Sequence, residues 1–188
     1  DFPLLINARS ETMVDKPAFR DSVRNQRCVV PASGYYEWRT GPAKQKTPFY
    51  IARADGRPLA MAGVLSSWMG PNGEEIDTVA LVTTPANADL EPIHHRMPAL
   101  LEGESLDAWL DTAAVEGRHA KDLARPCAPG LLHAYPVSTR VNAAGNEGPD
   151  LLRPVADPAR DQEAERSPSE GSKPLKTKKK SSGQLDLF

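Results

Sequence analysis

Cysteine is scarce. The 188 residues hold two, Cys28 and Cys127, far apart and outside any CxxC pair. That excludes a disulfide framework, and with no histidine at zinc-ligand spacing it removes the usual structural zinc sites too. No metal and no cofactor is expected. A run of about 18 apolar residues and a basic-then-apolar leader are also missing, so the sequence offers no membrane-spanning or secretion signal. An excess of one charge is lacking as well: 23 basic residues face 25 acidic ones, for a net charge of -2. A polyanionic partner must therefore be met by a local patch rather than by bulk charge. These absences set the expectation of a soluble, cytoplasmic protein with free thiols.

The chain also lacks a starting methionine. It opens on Asp1, and Phe2 to Ile6 reads as a buried strand with no preceding turn or cap. Natural termini are usually polar and frayed, so this start reads as a chain entered midway.

With 39% hydrophobic residues, the length suits one compact domain and a tail. Residues 1–156 are assigned to that domain. Its strand candidates are Phe2 to Ala8, Cys28 to Trp38, Pro48 to Ala54, Leu59 to Trp68, Thr78 to Thr83 and His133 to Ser138. Each is β-branched, aromatic or alternating, and each is bounded by Gly, Pro or Asn. Helices are expected at Lys16 to Asn25, at Glu104 to Asp111, where Leu106, Trp109 and Leu110 recur at three- and four-residue spacing, and at Val115 to Ala124. Short turns between strands and singly inserted helices predict an α+β fold. It is β-rich, with a barrel-like or twisted mixed core and a few peripheral helices.

From 157 to 183 the composition turns to Asp, Glu, Arg, Ser, Pro and Lys, too polar to offset the entropy of ordering. It is expected to be a disordered linker. Its lysines, Lys173, Lys176 and Lys178 to Lys180, either solvate the tail or attract phosphate.

Three short segments carry candidate chemistry: NARSET at 7–12, GYYEW at 34–38 and HHRMP at 94–98. Asn7 can orient a substrate hydroxyl or carbonyl, or serve as an Asx turn former. Arg9 carries the same ambiguity. Glu37 stands among aromatics in a strand that otherwise reads as buried. Such neighbours push a carboxyl toward the neutral range that a general acid or base needs, unless the side chain simply faces outward. His94 and His95 lie between two prolines on a short rigid loop. One of them can shuttle protons, and Arg96 beside them offers a phosphate clamp. Adjacent residues on extended backbone point to opposite sides, so at most one histidine is expected to act.

In order and spacing these segments resemble the SRAP family, the SOS response-associated peptidase domains. The resemblance covers NAR-x-ET, RC-x-x-P before the G-aromatic-aromatic-EW strand, the IH-x-RMP loop, and PVS-x-x-VN at 136–142. It implies an enzyme that traps abasic sites in single-stranded DNA through an N-terminal cysteine. The cysteine's amine condenses with the sugar aldehyde, and its thiol then closes a thiazolidine.

On that resemblance Asn7 positions the sugar, Glu37 drives proton transfer for ring opening, and His94 assists the Schiff-base steps and reversal. Arg9 and Arg96 hold flanking phosphates, Trp38 stacks on a base and Thr83 touches the DNA backbone. The departure is that no cysteine precedes Asn7. Cys28 and Cys127 have no free α-amine, so this chain as written is not expected to crosslink. A noncatalytic single-stranded DNA adaptor and a cysteine-type autopeptidase are the alternatives.

The last residues, Gln184, Leu185, Asp186, Leu187 and Phe188, resemble the pentapeptide by which bacterial proteins dock on the replication sliding clamp. Leu187 and Phe188 are apolar anchors and Gln184 an orienting polar group. These readings together imply a monomer working at the nucleoid.

Overall fold

The computed structural model describes residues 5–156 and Pro158. The expected linker and clamp-docking peptide lie outside the described residues, Pro158 apart. Eight strands form in chain order: β1 (Asn7–Arg9), β2 (Arg27–Ala32), β3 (Tyr35–Thr40), β4 (Lys46–Arg53), β5 (Leu59–Met69), β6 (Glu75–Pro85), β7 (Arg96–Pro98) and β8 (Leu132–Pro136). Three short helices accompany them: α1 (Arg20–Asn25), α2 (Glu104–Leu110) and α3 (Gly117–Ala120).

The strands make two twisted sheets that do not close into a barrel. One has the order β1-β6-β5-β2, with β7 also paired to β6, and the other is β3-β4-β8. The larger sheet is the middle layer. On β5 and β6, Ala62, Val64, Ala80 and Val82 face one cluster with Phe19, Val23 and Trp109 from the helical side. Leu59 and Met61 face a second cluster with Ile51 and Leu132 of the smaller sheet. Because side chains alternate across a strand, the unbroken apolar run from Leu59 to Leu65 requires both faces to be covered.

The expected single strand Cys28 to Trp38 is two strands in two sheets. Its first half pairs with β5 and its second half with β4. The crossing falls at Ser33 and Gly34, and the reason is steric. A Cβ on Gly34 would stand 2.4 Å from Tyr50 Cζ and 2.6 Å from the Ile51 carbonyl oxygen. Only glycine lets the chain pass there.

The helices are shorter than the expected spans. The segment from Lys16 reaches α-helix only at Arg20, and Val115 to Ala124 is helical only over Gly117–Ala120. The HHRMP segment is not wholly loop, since Arg96–Pro98 is strand β7. Beyond it the chain enters between the ends of β6 and β5: Ala99 N–H donates to Val82 O (2.8 Å), and Ala62 N–H to Ala99 O (2.9 Å).

One buried cation ties the helical layer to this frame. Arg27, 6% exposed, donates Nε–H to Trp109 O (2.5 Å), Nη1–H to Val23 O (2.9 Å), and Nη2–H to Asp111 O and Val115 O (both 2.9 Å). It thereby satisfies carbonyls that the ends of α1 and α2 leave without helical partners. Burial pulls its pKa down, yet a guanidinium stays charged in proteins. Trp109 completes the joint by donating its indole N–H to Cys28 O at 2.9 Å.

Among the described residues no helix is long and apolar enough to cross a membrane. The same residues hold no group of three His, Cys, Asp or Glu able to bind a metal.

Candidate active site

The NARSET segment reaches the site through β1, which runs parallel to β6 with Asn7 opposite Leu81 and Arg9 opposite Thr83. Ala8 is fully buried while Asn7 and Arg9 on either side are exposed. The period-two pattern thus turns both polar side chains outward on one face. On the other edge of β6, Thr83 pairs with Pro98 of β7. Thr83 is therefore the residue at which the NARSET and HHRMP segments meet.

Arg96 fastens that junction. Its Nη2 donates to the Thr83 carbonyl (2.6 Å) and Oγ1 (3.2 Å). Its two terminal nitrogens also hold both oxygens of Glu11, with Nη2 at 2.9 Å from Oε2 and Nη1 paired with Oε1. This fork holds the Glu11 carboxyl at about 2, well below its ordinary 4.5. Glu11 stays ionised throughout the neutral range.

GYYEW enters from the smaller sheet. Glu37 lies on the β3 face toward His94, and its Oε2 is 3.6 Å from His94 Nδ1. That is an ion-pair distance rather than a hydrogen bond. Glu37 Oε1 accepts the Trp38 backbone N–H at 3.0 Å, which fixes the direction of the carboxylate. His94 Nδ1 also lies 3.2 Å from the Arg96 N–H and 3.1 Å from the Arg96 carbonyl. The first is a donor for the unprotonated nitrogen, and the carbonyl with Glu37 is an acceptor pair for the protonated one. Either proton state finds a partner, as a proton shuttle requires.

The two histidines do not diverge as extended backbone would make them. His94 N–H closes a turn on Leu90 O at 2.9 Å, and the two rings lie 4.4 Å apart, tilted by 45°. A turn, unlike a strand, leaves adjacent side chains on one side.

Trp38 points to the opposite face of β3 from Glu37, and its indole N–H donates to Asn142 Oδ1 at 2.8 Å. That bond ties the PVS-x-x-VN segment to the far face of β3. Between the two sheets Glu37 meets His94, His94 meets Arg96 and Arg96 meets Thr83. Arg9 stands opposite Thr83 in the strand register, and among the described residues no hydrogen bond or ion pair joins its side chain to these groups. Asn7 lies further along β1, and among the described residues no hydrogen bond or ion pair joins it to Glu37 or His94.

Two residues escaped the sequence reasoning. Glu11 stands inside NARSET, so its motif position was a usable signal. Asn142 likewise closes a quoted motif.

Neither cysteine offers a nucleophile. Burial pushes the Cys28 thiol up. Cys127 is pushed up to about 11, by burial first and then by Glu102 and Asp89. Thiols so raised stay protonated and unreactive. A cleft of about 480 Å³ opens elsewhere, lined by Val14, Arg20, Arg24, Glu116 and Arg118 among others, and holds none of the motif residues.

Comparison with known proteins gives the arrangement its relatives. The sequence matches the SOS response associated peptidase (SRAP) family over residues 2–144. It is 35% identical over 148 residues to the abasic site processing protein YoqW of Bacillus subtilis, covering 79% of this chain and 66% of that protein. It is 35% identical over 157 residues to the abasic site processing protein YedK of Escherichia coli, covering 82% and 69%. With the abasic site processing protein HMCES of Gallus gallus it shares 37% over 169 residues, covering 79% and 50%.

A crystal structure of a protein from Bacteroides thetaiotaomicron superposes with a TM-score of 0.73 at 32% identity, over 79% of this chain and 65% of that one. The chain thus spans about two thirds of its bacterial relatives and half of the vertebrate one. It belongs to the SOS response associated peptidase (SRAP) family.

Proposed function

We propose that this chain carries the lesion-binding and proton-transfer residues of a protein that processes abasic sites in single-stranded DNA and captures them covalently. The observation that supports this best is the Glu37–His94 pair, 3.6 Å apart, next to Arg96 and Thr83. An abasic sugar must open its ring to show an aldehyde, which needs one proton removed from the C1 hydroxyl and one delivered to the ring oxygen. A carboxylate beside a histidine with partners for both proton states can do both.

The aldehyde then condenses with the α-amine of an N-terminal cysteine, releasing one water. Addition of its thiol to the C=N bond closes the thiazolidine. Cys28 and Cys127 lie inside the chain without a free α-amine, so neither supplies the nucleophile of this scheme. Asn7 positions the sugar, Arg9 and Arg96 contact phosphates, Trp38 stacks on a base and Thr83 touches the DNA backbone.

The test has two arms, the 188-residue chain and a longer product carrying whatever its gene encodes ahead of Asp1. Each is incubated with single-stranded DNA bearing an abasic site. A heat-stable shifted band from the longer product alone supports this function. Reversible, salt-sensitive binding from both arms supports a noncatalytic single-stranded DNA adaptor instead. Processing of its own N-terminus is the one peptidase activity this scheme needs.

We propose further that Gln184, Leu185, Leu187 and Phe188 dock on a bacterial sliding clamp. The 27 positions 157–183 lie outside the described residues, Pro158 apart; a flexible chain of that length would span about 30 Å on average, enough to keep the domain near clamp-bound DNA. Deleting 184–188 is expected to abolish retention on immobilised clamp. Undiminished retention rejects this docking role.

A further inference from the structure

The Glu11–Arg96 contact poses a problem for the phosphate role given to Arg96. The guanidinium is not waiting for an anion, because Glu11 already occupies its fork with two oxygens. A carboxylate and a phosphate present paired oxygens to this fork in the same bidentate way. Thr83 takes a further share of Nη2, and Nε is buried with no partner. A phosphate cannot gain the end of this guanidinium while Glu11 holds it.

The two partners differ in freedom. The Arg96 side chain is 15% exposed and is anchored to the backbone of β6 through Thr83, whereas the Glu11 side chain is 46% exposed. Glu11 also sits in the turn that follows β1, where Met13 N–H bonds Arg9 O at 2.9 Å. The arginine is the fixed member, and the carboxylate can swing into water without disturbing either sheet.

We infer that Glu11 is a resident stand-in for a DNA phosphate: it holds the Arg96 fork in shape in the free protein and yields its place when single-stranded DNA binds. Glu11 thereby sets how much affinity and salt sensitivity Arg96 contributes. The arrangement keeps an isolated positive charge off the free surface and limits binding to polyanions that do not reach the whole site. The low pKa of the Glu11 carboxyl agrees with a filled fork at neutral pH.

This inference rests on the DNA-binding role proposed above, and the test separates the two. The full 188-residue chain is titrated with a fluorescent single-stranded oligonucleotide carrying a tetrahydrofuran abasic analogue, which cannot form an aldehyde, across a salt series. Glu11→Gln keeps the side chain's size and one acceptor but removes the charge. It is expected to bind about three- to tenfold tighter at low salt, because the phosphate no longer has to displace a carboxylate, and the advantage is expected to shrink as salt screens that charge, which steepens the log K against log salt slope. Glu11→Asp keeps the charge and is expected to retain the parent slope. In an Arg96→Ala background, Glu11→Gln is expected to lose most of its gain, because the released group is gone.

If Glu11→Gln binds no tighter, or binds with an unchanged slope, while Arg96→Ala alone weakens binding, the stand-in role is wrong and the DNA role of Arg96 survives. Arg96→Ala binding as well as the parent overturns both. A Glu11→Gln protein with a lowered melting temperature and weaker binding marks Glu11 as structural only, and also contradicts the inference.

Discussion

Glu37→Gln is expected to slow covalent capture of abasic single-stranded DNA by about 10²- to 10⁴-fold, the usual range for removing a positioned general acid or base. Affinity for a noncovalent abasic analogue should stay within about twofold of the parent, since the change removes no phosphate contact. The substitution is informative because it is nearly isosteric. The glutamine Oε1 can still accept the Trp38 backbone N–H that orients this side chain, so the strand edge keeps its shape. What is lost is the charge facing His94 Nδ1 and with it the ability to take and return a proton. Single-turnover gel assays of the longer product, with binding measured separately, resolve the two effects. Equal losses in rate and affinity contradict the division between Glu37 as proton-transfer group and the arginines as clamps.

Arg27→Met should lower stability by about 3 to 5 kcal/mol, as expected when the charged centre of a buried network is removed. Methionine fills similar volume, so the cost is not a cavity. It comes from the carbonyls of Val23, Trp109, Asp111 and Val115, which lose their donor; the bonds to Val23 and Trp109 are buried and the other two partly so. Arg27→Lys is expected to recover less than half, because an ammonium has three donors at one point and cannot span carbonyls on separate elements. Denaturant unfolding of the parent and both variants measures this. A loss below about 1 kcal/mol for Arg27→Met is what an exposed surface residue gives, and would contradict the buried-hub description.

Arg27 also shows where sequence legibility ended. In RC-x-x-P it reads as one more residue opening a strand, and nothing local says that four carbonyls from two helices and a loop converge on it. Glu11 was hidden in the same way, since a glutamate in a turn is ordinarily solvated and its partner lies 85 residues away. Long-range pairing leaves no periodicity.

By contrast β5 was legible, because its apolar run is long enough to demand burial on both faces, whereas the expectation of Thr78 to Thr83 caught only the middle of β6, Glu75–Pro85. The break at Ser33–Gly34 was not legible, since β-branched and aromatic residues stand on both sides of it and do not record which sheet a strand joins. β7 was missed because a three-residue strand ending in proline carries too few positions to show a period. Helix α1 was placed too early for a related reason: Pro17 is a good helix start, but the chain takes tight turns before Arg20. Within the candidate site, Glu37, His94 and Arg96 stood out because unusual residue types sat in ordered motifs. Their partners were ordinary residue types.

Covalent capture of an abasic sugar beside the Glu37–His94 pair is read directly from the mass of the product. The longer product is mixed with an abasic single-stranded oligonucleotide, heated without reductant, and weighed intact by mass spectrometry. One species is expected at the sum of protein and oligonucleotide minus a single water, resistant to heat and lost when the N-terminal amine is blocked. Only unmodified protein and DNA, or an adduct that survives amine blocking, would contradict it.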